Sequence, residues 1–520
     1  MTNFREEFIF YGDEVRIERF PEETRFILAN PPMQPLVDFE LAVSRALDQP
    51  LQAEPLEKQL KPSSRVTIAF DDLCVPVPLM RNDVRGRVIK VLLNRLYALG
   101  IPKEQIRLIC ANGLHRKWTL KELSLVLGKE VIREIGPERV SCHDGTKEEE
   151  LIFLGTTDSG HEVEINRAVA ESDITIYVNL NYVSMNGGWK SILVGLGSWR
   201  SIRLHHTPRQ WNLEASLMDP QTSPMHQILN EMGALVQRKT NIFQIENVVN
   251  NALWPSSLGK ILKPINHLER KDSPGIFTRV MLSSASLAPG GVKRFIRNAL
   301  RSNYQPIAVY AGEVETVHLH TLEVLTKQQN VPVDEPVDIL ILGVPNLSPY
   351  SCQSIFNPIL LRSLALGYIL GAFRGVPLVK KGGILVAYNP GLAKFHPRHH
   401  PSYIDFWQKH LEEFYDPLEC WNGLSESYAR DPGYIRKYRE DYAYHGTHCL
   451  MNWMWSGMSM KHLSEVILAG AREPDTARKL GFTPAKDFNT AIAIAKERAG
   501  SGATIANMVI PPIFCADIKR

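Results

Sequence analysis

Short apolar runs that end in polar turns and alternate with helical stretches set the strongest limit on how this 520-residue chain can fold. Residues Arg65 to Phe70 (RVTIAF) and Gln105 to Cys110 are apolar runs typical of buried strands. Between them, apolar side chains recur at helical spacing, at Val84, Val88, Val91, Leu92 and Leu96. This order of strand, helix and strand predicts a βαβ unit with a right-handed crossover, and therefore an α/β fold.

The second half of the chain repeats this alternation. Three more apolar runs separated by helical stretches predict strands at Gln305 to Gly312, Val337 to Pro345 and Gly382 to Gly391. A helix over Asp487 to Arg498 and a strand over Thr504 to Pro511 follow, and this last segment is one that can pack back on the N-terminal half.

Two segments rich in Pro, Gly or charge, Pro264 to Gly275 and Ser286 to Gly291, separate the halves. We therefore predict two domains, residues 1–275 and 290–520. Each should be a layered α/β domain with a mainly parallel sheet and flanking helices, and the active site should lie in the interdomain cleft.

Composition excludes several classes of function. The chain has 59 Lys and Arg against 56 Asp and Glu, and no long basic run, so nucleic acid is not an expected partner. No apolar segment approaches the roughly 18 residues that span a bilayer, and the acidic start is unlike a signal peptide. We expect a cytoplasmic protein that does not contact membranes. Its seven cysteines lack CxxC spacing, which favours reduced thiols over a zinc ribbon, an iron–sulfur cluster or disulfides.

The segment NLNYVSMNGGWKSILVGLGSWRSIRLHHT, residues 179–207, concentrates chemically useful groups. Gly187 and Gly188 allow the backbone to approach a ligand closely. Lys190 offers an amine for a phosphate or for covalent attachment, and His205 or His206 offers an imidazole to a metal ion. A turn, a surface lysine and structural histidines are the alternative interpretation of the same residues.

This segment resembles the nickel-dependent lactate racemase family, which carries a pattern close to P-H-x-x-A-G-Y-S-G-G-x-K followed by a histidine. The resemblance implies a nickel pincer nucleotide tethered at Lys190, bound near Gly187 and Gly188, with His206 as the nickel ligand. The spacing of 206 − 190 = 16 residues matches the family. His205 is the neighbouring alternative.

The resemblance continues upstream. Residues 71–78 (DDLCVPVP) are similar to the family's D-D-x-T-R-P-x-P turn, and residues 113–123 are similar to its G-x-H-R-x-x-T-x-x-E-L pattern. By this resemblance Asp71 and Asp72 contact the cofactor, Asp72 also takes part in catalysis, and His115 is a catalytic acid/base. An N-cap or turn role is the alternative for the two aspartates.

Several positions depart from the family pattern. Val75 stands where lactate-type members have an arginine for the substrate carboxylate, and Leu180 stands where they have a second catalytic histidine. The family's Y-Q-x-x-K element falls near residues 350–356, where Gln353 is a candidate catalytic residue but Phe356 replaces the lysine. The cofactor-handling residues persist while substrate-handling residues change, which indicates a substrate other than lactate.

Arg116 and Tyr182 are the alternative candidates for substrate contacts. The histidines of the segment HPRHH, residues 396–400, offer another anchor, although Pro397 and the basic neighbours favour an exposed loop. In YHGTHC, residues 444–449, the pattern favours a loop or lid near the cleft over a metal site, because Gly446 weakens a helix there.

The resemblance implies a racemase or epimerase of a 2-hydroxy acid or related secondary alcohol. A carbinol C–H is too weak an acid to lose a proton at neutral pH, so the family oxidises and re-reduces the carbon while His115 exchanges the hydroxyl proton. A non-catalytic cofactor-binding homologue is one alternative. A nicotinamide dehydrogenase is another, based on Gly195-Leu196-Gly197, but Arg200 stands where G-x-G-x-x-G needs its last glycine. The substrate and the oligomeric state stay open.

Overall fold

A computed structural model of the protein describes residues 4–211, 213–254 and 276–519. The strands of these ranges are, in chain order, β1 Phe4–Tyr11, β2 Glu14–Pro21, β3 Arg25–Ile27, β4 Val66–Asp71, β5 Ile106–Ala111, β6 Val140–Cys142, β7 Leu151–Thr156, β8 Glu162–Asn166, β9 Ile174–Asn181, β10 Ile242–Val249, β11 Pro306–Gly312, β12 Asn330–Pro332, β13 Val337–Gly343, β14 Phe373–Gly375, β15 Val379–Tyr388, β16 Glu465–Ala469, β17 Thr483–Ala485, β18 Ile505–Met508 and β19 Cys515–Ile518.

The longer helices span Phe39–Asp48, Val84–Ala98, Leu120–Leu127, Gly188–Gly195, Pro224–Lys239, Ile276–Ser286, Gly290–Ala299, Val314–Gln329, Pro417–Arg430, Pro432–Glu440, His448–Met460 and Phe488–Ala499. Shorter helical segments are Leu56–Gln59, Lys129–Ile135, Arg167–Glu171, Trp199–His205, Pro358–Arg362, Ser363–Ile369, Pro401–Asp405, Phe406–His410 and Pro474–Lys479. Single 3₁₀ turns lie at Lys103–Gln105, Pro137–Arg139, Glu148–Glu150 and Pro349–Ser351.

The first large sheet has the strand order β11-β10-β9-β4-β5-β6. Its strands are parallel except for β11, which runs antiparallel to β10. Strands β4 and β9 are buried along their whole length, as expected for central strands covered on both faces. The predicted βαβ unit is β4, the helix Val84–Ala98 and β5. Asp83 caps this helix by accepting from the Arg85 amide.

The second large sheet has the order β17-β16-β15-β13-β18-β3 and is parallel throughout. The predicted α/β class is therefore confirmed, and the predicted strands of the second half lie within a few residues of β11, β13, β15 and β18. Strand β18 lies between β13 and β3, so the tail of the chain meets residues 25–27 in this sheet.

Sheet membership crosses the predicted domain boundary in two places. Strand β3 comes from the first half but belongs to the second sheet, and β11 comes from the second half but belongs to the first sheet. The division at residues 275–290 stays a prediction, and part of the segment proposed for it, Pro264 to Gly275, lies outside the described residues. Among the described helices, none is long and apolar enough to cross a membrane.

Candidate active site

The carboxyl ends of β4, β5 and β9 bring distant parts of the sequence together at one edge of the first sheet. Asp71 ends β4 and Asp72 follows it, the turn to His115 follows β5, and residues 182–187 lead from β9 into the helix that carries Lys190. Open α/β sheets bind ligands at this edge. A cavity lies here, and its lining includes Asp71, Asp72, His115, Lys190 and His206. We call these five residues the N-terminal wall.

Asp72 and His115 form a hydrogen-bonded pair. Asp72 Oδ2 lies 3.0 Å from His115 Nδ1, and Asp72 Oδ1 accepts from the Cys74 amide at 3.0 Å. Burial by itself would raise the pKa of Asp72, but the charge and hydrogen bond of His115 outweigh it, so the pKa lies below its ordinary value. An ionised carboxylate only accepts hydrogen bonds, so His115 Nδ1 carries the proton and Nε2 is the basic nitrogen when the ring is neutral.

Asp71 is held by three donors inside the sheet edge. The Tyr177 hydroxyl donates to Oδ1 at 2.9 Å, and Asn179 Nδ2 and the Leu180 amide donate to Oδ2 at 2.7 and 2.8 Å. Burial nevertheless raises the pKa of Asp71 to about 6. These contacts give Asp71 a structural role, beside any contact with a cofactor.

Lys190 lies in the first turn of the helix Gly188–Gly195 and reaches the cavity. Its Nζ donates to Asn186 Oδ1 at 2.7 Å. Burial lowers the pKa of Lys190, and the charges of Asp71 and Asp72 oppose this shift in part. A lowered pKa increases the neutral fraction of the amine, which is the form that attacks an electrophile.

The Gly-Gly pair packs against the protein interior. Gly187 and Gly188 have φ of +100° and +52°, and a Cβ on either would lie within 3 Å of the His318 ring. The Gly188 amide donates to Glu246 Oε1 at 2.6 Å, and Glu246 Oε2 in turn lies 3.1 Å from His318 Nδ1. A half-buried histidine and a buried carboxylate, neither of which the sequence analysis identified, therefore pack against these glycines.

His206 rather than His205 lines the cavity. The two Nδ1 atoms are 2.7 Å apart, so one ring donates and the other accepts, and His206 packs on Trp211 with ring centroids 4.5 Å apart. Burial and the neighbouring His205 hold the pKa of His206 well below its ordinary value. A neutral imidazole is the form that binds a metal ion.

The opposite side of the cavity comes from the second half of the chain. Tyr350, Tyr368 and Trp455 line it, and a smaller adjoining cavity shares His115, His206 and Tyr350 with the first and is closed by His448. We call Tyr350, Tyr368, His448 and Trp455 the C-terminal wall. Its members contact one another: the hydroxyls of Tyr350 and Tyr368 are 2.7 Å apart, and the ring centroids of Tyr368 and Trp455 are 4.4 Å apart.

Hydrogen bonds to backbone carbonyls attach this second half to the turn that carries His115. The Tyr438 hydroxyl donates to the Gly113 carbonyl at 2.7 Å, and the His445 amide donates to the Leu114 carbonyl at 3.2 Å. His445 and His448 are both buried, and the helix begins at His448. Residues 444–447 form a loop and a turn ahead of this helix, in line with the loop predicted there, and the segment is packed against the His115 turn.

Some of the other candidate residues line the cavity, and some do not. Tyr182 and Val75 line the cavity. Arg116 does not: it is 1% exposed, its guanidinium donates to Glu122 Oε1 at 2.6 Å and lies 3.8 Å from the Trp118 ring centroid. These contacts leave it unable to reach a substrate in this arrangement.

Gln353 also lies away from the cavity. Its Nε2 donates to the Asn298 carbonyl at 3.0 Å, and Phe356 lines a separate cavity. A catalytic role for Gln353 has no support in this geometry. Gly195 ends a helix instead of leading a strand into one, so Gly195-Leu196-Gly197 does not have the geometry of a dinucleotide-binding turn.

The histidines at residues 396–400 are less exposed than expected. Pro397 and Arg398 are exposed, but His400 is fully buried, with Nδ1 3.3 Å from Asn357 Nδ2. None of them lines the cavity among the described residues. The exposed-loop prediction holds for the tip of the segment and is wrong for His400, which packs beside Tyr403 and Tyr444.

Three side chains that could bind a metal ion lie close together in the cavity lining. Ligand atoms of Asp72, Cys74 and His115 lie within 4.8 Å of one another, the one such group found in the described part of the chain. The Asp72–His115 hydrogen bond explains this proximity. Burial raises the pKa of the Cys74 thiol, which disfavours the thiolate that a metal would need.

The first part of the chain is similar to a domain of known proteins. Residues 11–216 match the model of the lactate racemase N-terminal domain. The lactate racemase of Lactiplantibacillus plantarum is 28% identical over 169 residues, and that of Thermoanaerobacterium thermosaccharolyticum is 27% identical over 168 residues. Each match covers 32% of this chain, and 38% and 37% of the respective relatives.

The fold similarity covers more of the chain. The lactate racemase apoprotein from Thermoanaerobacterium thermosaccharolyticum superimposes with a TM-score of 0.65 at 17% identity, over 99% of this chain and 100% of that one. A protein from Thermotoga maritima gives a TM-score of 0.53 at 16% identity, over 94% and 100%. At these identities the superpositions show the fold alone. Residues 11–216 are therefore similar to the lactate racemase N-terminal domain, and the described chain shares its fold with a lactate racemase apoprotein.

Proposed function

We propose that the protein is a nickel pincer nucleotide-dependent racemase or epimerase of a 2-hydroxy acid or related secondary alcohol other than lactate. The observation that carries this proposal is the convergence of a partly buried amine, a buried imidazole and an Asp–His pair on one cavity, from Lys190, His206, Asp72 and His115. The family match at residues 11–216 contains all four residues.

The residues present fit the implied cofactor in donor chemistry. Lys190 supplies a partly buried amine of lowered pKa for the tether, and His206 supplies a neutral imidazole for nickel on the same cavity. When bound, the nickel pincer nucleotide supplies a hydride acceptor and donor for the carbinol carbon. Gly187 and Gly188 shape the helix start that carries Lys190 but do not line the cavity among the described residues.

His115 performs the proton transfer in this proposal. Its Nε2 accepts the substrate hydroxyl proton, and Asp72 holds Nδ1–H and stabilises the positive ring that results. Return of the proton from Nε2 restores the hydroxyl after the carbon has been reduced again. The packed aromatic side chains of the C-terminal wall exclude water from the transient ketone.

The cavity lining argues against lactate. Val75 lines the cavity, and Lys190 is its sole Lys or Arg within the described residues. Without an arginine, the site loses the charge-assisted hydrogen bonds that a small carboxylate needs, at a cost of about 2 to 5 kcal/mol in binding. Aromatic and methionine side chains around the cavity favour a larger or less acidic alcohol.

Inversion of a substrate deuterated at the carbinol carbon tests the function. Protein made in a host that synthesises the cofactor is incubated in ordinary water with a panel of 2-hydroxy acids and sugar acids that carry deuterium at the carbinol carbon, and each product is examined for inversion and for retained label. We expect inversion of at least one larger hydroxy acid and little turnover of lactate. Efficient lactate racemisation contradicts the substrate assignment, and inactivity of cofactor-loaded protein towards the whole panel favours a non-catalytic homologue.

A further inference from the structure

His448 lies directly beside His115, although the two residues are far apart in the sequence. Their ring centroids are 5.3 Å apart, with the ring planes at 83°. Both rings line the smaller cavity that adjoins the main one. His448 is 3% exposed and has no part in the mechanism above.

Three tyrosines fix the His448 ring. Tyr444 stacks on it with centroids 4.5 Å apart at 16°, and Tyr350 meets it edge-on, also at 4.5 Å. The Tyr403 oxygen lies 2.6 Å from His448 Nδ1. The orientation of the ring is therefore set by packing as well as by a hydrogen bond.

The hydrogen bonds around Tyr403 determine which nitrogen of His448 carries the proton. Asn452 Nδ2 donates to the Tyr403 oxygen at 3.2 Å. An amide NH₂ cannot accept, and the described residues offer the Tyr403 hydroxyl hydrogen no acceptor other than His448 Nδ1, so Nδ1 accepts it. A neutral ring with an accepting Nδ1 carries its hydrogen on Nε2, and Nε2 has no hydrogen-bond partner among the described residues.

The ring is also held neutral. Burial and the nearby His115 keep the pKa of His448 well below its ordinary value. His448 is the first residue of the helix His448–Met460, where the helix dipole disfavours a positive charge. A neutral imidazole with hydrogen on Nε2 is a hydrogen-bond donor that does not give up its proton at neutral pH.

His115 has the opposite arrangement. His115 donates its Nδ1 hydrogen to Asp72, so Nε2 of His115 is an acceptor. Nε2 of His448, in contrast, is a donor. A carbinol hydroxyl offers one hydrogen to an acceptor and one lone pair to a donor. After the hydroxyl proton has moved to His115 and the hydride has left the carbon, the oxygen is a carbonyl that accepts from both rings.

We propose that His448 is a further catalytic residue that binds the substrate's reacting oxygen as a neutral donor through Nε2–H, opposite the acceptor His115. The assignment rests on the proposed function for the identity of that oxygen. It gives the C-terminal wall a specific role: it selects ligands that carry a hydroxyl, or after oxidation a carbonyl, at the carbon beside the carboxyl group.

The first test is the tautomer, which needs no cofactor and no activity. Ring nitrogens of ¹⁵N-histidine-labelled protein are observed by NMR at neutral pH, and the His448 signals are identified by their loss in His448→Gln. We expect a protonated Nε2 and an unprotonated Nδ1. Tyr403→Phe should populate the other tautomer, while the control Tyr434→Phe, whose hydroxyl donates to Asp405, should not. A protonated Nδ1 in the unmodified protein overturns the proposal.

The second test measures recognition of the hydroxyl. Binding of matched pairs that differ only in the 2-hydroxyl, such as mandelate with phenylacetate and 2-hydroxyhexanoate with hexanoate, is compared by calorimetry. We expect the hydroxy compound of at least one pair to bind about tenfold more tightly. The preference should survive in His448→Gln, whose amide can donate from a similar position, and disappear in His448→Asn, whose side chain is too short.

The outcomes separate the two proposals. No hydroxyl preference in any pair, or an equal preference in His448→Asn, overturns the role of His448 even if the loaded enzyme inverts a hydroxy acid. A correct tautomer and a His448-dependent preference uphold it even if cofactor-loaded protein inverts no compound of the panel, and that result contradicts the racemase function instead.

Discussion

The two walls of the cavity differ in how they are built. The N-terminal wall consists of charged and titratable side chains that lie at or after the ends of parallel strands (Asp71, Asp72, His115) or in and just after helices (Lys190, His206). The family match at residues 11–216 includes every one of them. The C-terminal wall is aromatic apart from His448 and lies entirely outside that match.

This difference indicates a division of labour. A strand end fixes the backbone of the following residue, so groups that must act on a cofactor with defined geometry are held by the sheet. The C-terminal wall is held by side-chain packing, which tolerates exchange of one apolar residue for another. The aromatic residues of the C-terminal wall can therefore change with the substrate, while the N-terminal wall and, by the proposal above, His448 act on the reacting groups.

The largest expected effect is the loss of the covalent cofactor in Lys190→Ala. If the N-terminal wall carries the tether, protein made in a cofactor-producing host should show added mass by intact-mass spectrometry, and the variant should show none. Lys117→Ala is the control. Lys117 Nζ donates to Asp144 Oδ2 at 2.6 Å, and Lys117 does not line the cavity. An unchanged adduct in Lys190→Ala would remove the assignment.

His115→Ala should come next. The variant keeps Lys190 and His206, so cofactor mass and nickel content should be unchanged, while turnover should fall about 10²-fold or more. His320→Ala is the control, since its Nδ1 is occupied by the Thr316 carbonyl and the residue lies outside the cavity. Activity near that of the unmodified enzyme would show that His115 is not a catalytic residue and has only a structural role.

The contrast between the walls also explains what the sequence could predict. Apolar runs revealed the strands, and the resemblance to the family's motifs revealed Asp71, Asp72 and His115. Strand ends in a parallel sheet share one edge, so these residues could be expected to lie close together. Lys190 and His206 were found through a local motif. All these signals operate within short stretches of chain.

Contacts between distant segments were not predictable in this way. Nothing in the Gly-Gly pair indicates that His318 and Glu246 lie behind it. The histidine at 448 was visible in YHGTHC, but its position beside His115 depends on packing of residues 438–448 against the 113–115 turn. Arg116 and Gln353 were assigned by position in a motif, and their side chains bond elsewhere.

The third prediction tests whether the Gly-Gly pair serves packing rather than ligand approach. A Cβ at Gly187 would lie 2.6 Å from the His318 ring, and we expect Gly187→Ala to lower the free energy of unfolding by about 2 to 4 kcal/mol in urea denaturation. Gly160 is the matched control, with φ of +88° and open space around the position that an added Cβ would occupy.

Gly160→Ala has the same kind of backbone strain without the steric clash, so it should cost about 1 kcal/mol. Equal losses for the two variants would mean that His318 moves aside easily. The glycine pair would then be free to serve a ligand.

The fourth prediction concerns pH. The pKa of Asp71, about 6 in the folded protein, lies above its ordinary value, so the folded state binds an additional proton between about pH 4 and 6. The contribution of Asp71 to the free energy of unfolding therefore rises as the pH falls through this window, by at most about 3 kcal/mol.

Urea denaturation of the unmodified protein and of Asp71→Asn from pH 4 to 7 isolates this contribution. The difference between the two free energies of unfolding should change with pH in the direction stated. A difference that stays constant would show that Asp71 is ionised throughout, with its three donors outweighing burial.

The smallest expected effect lies in the C-terminal wall and bears on the division of labour itself. Tyr368→Phe removes the hydroxyl that lies 2.7 Å from the Tyr350 hydroxyl and keeps the ring on Trp455. The lost buried hydrogen bond should cost about 1 kcal/mol of stability. Because Tyr350 also contacts the rings of His115 and His448, loosening it should raise KM several-fold and leave kcat within about twofold. A fall in kcat at constant KM would show instead that the C-terminal wall positions the reacting groups, because only an interaction made in the transition state has that kinetic effect.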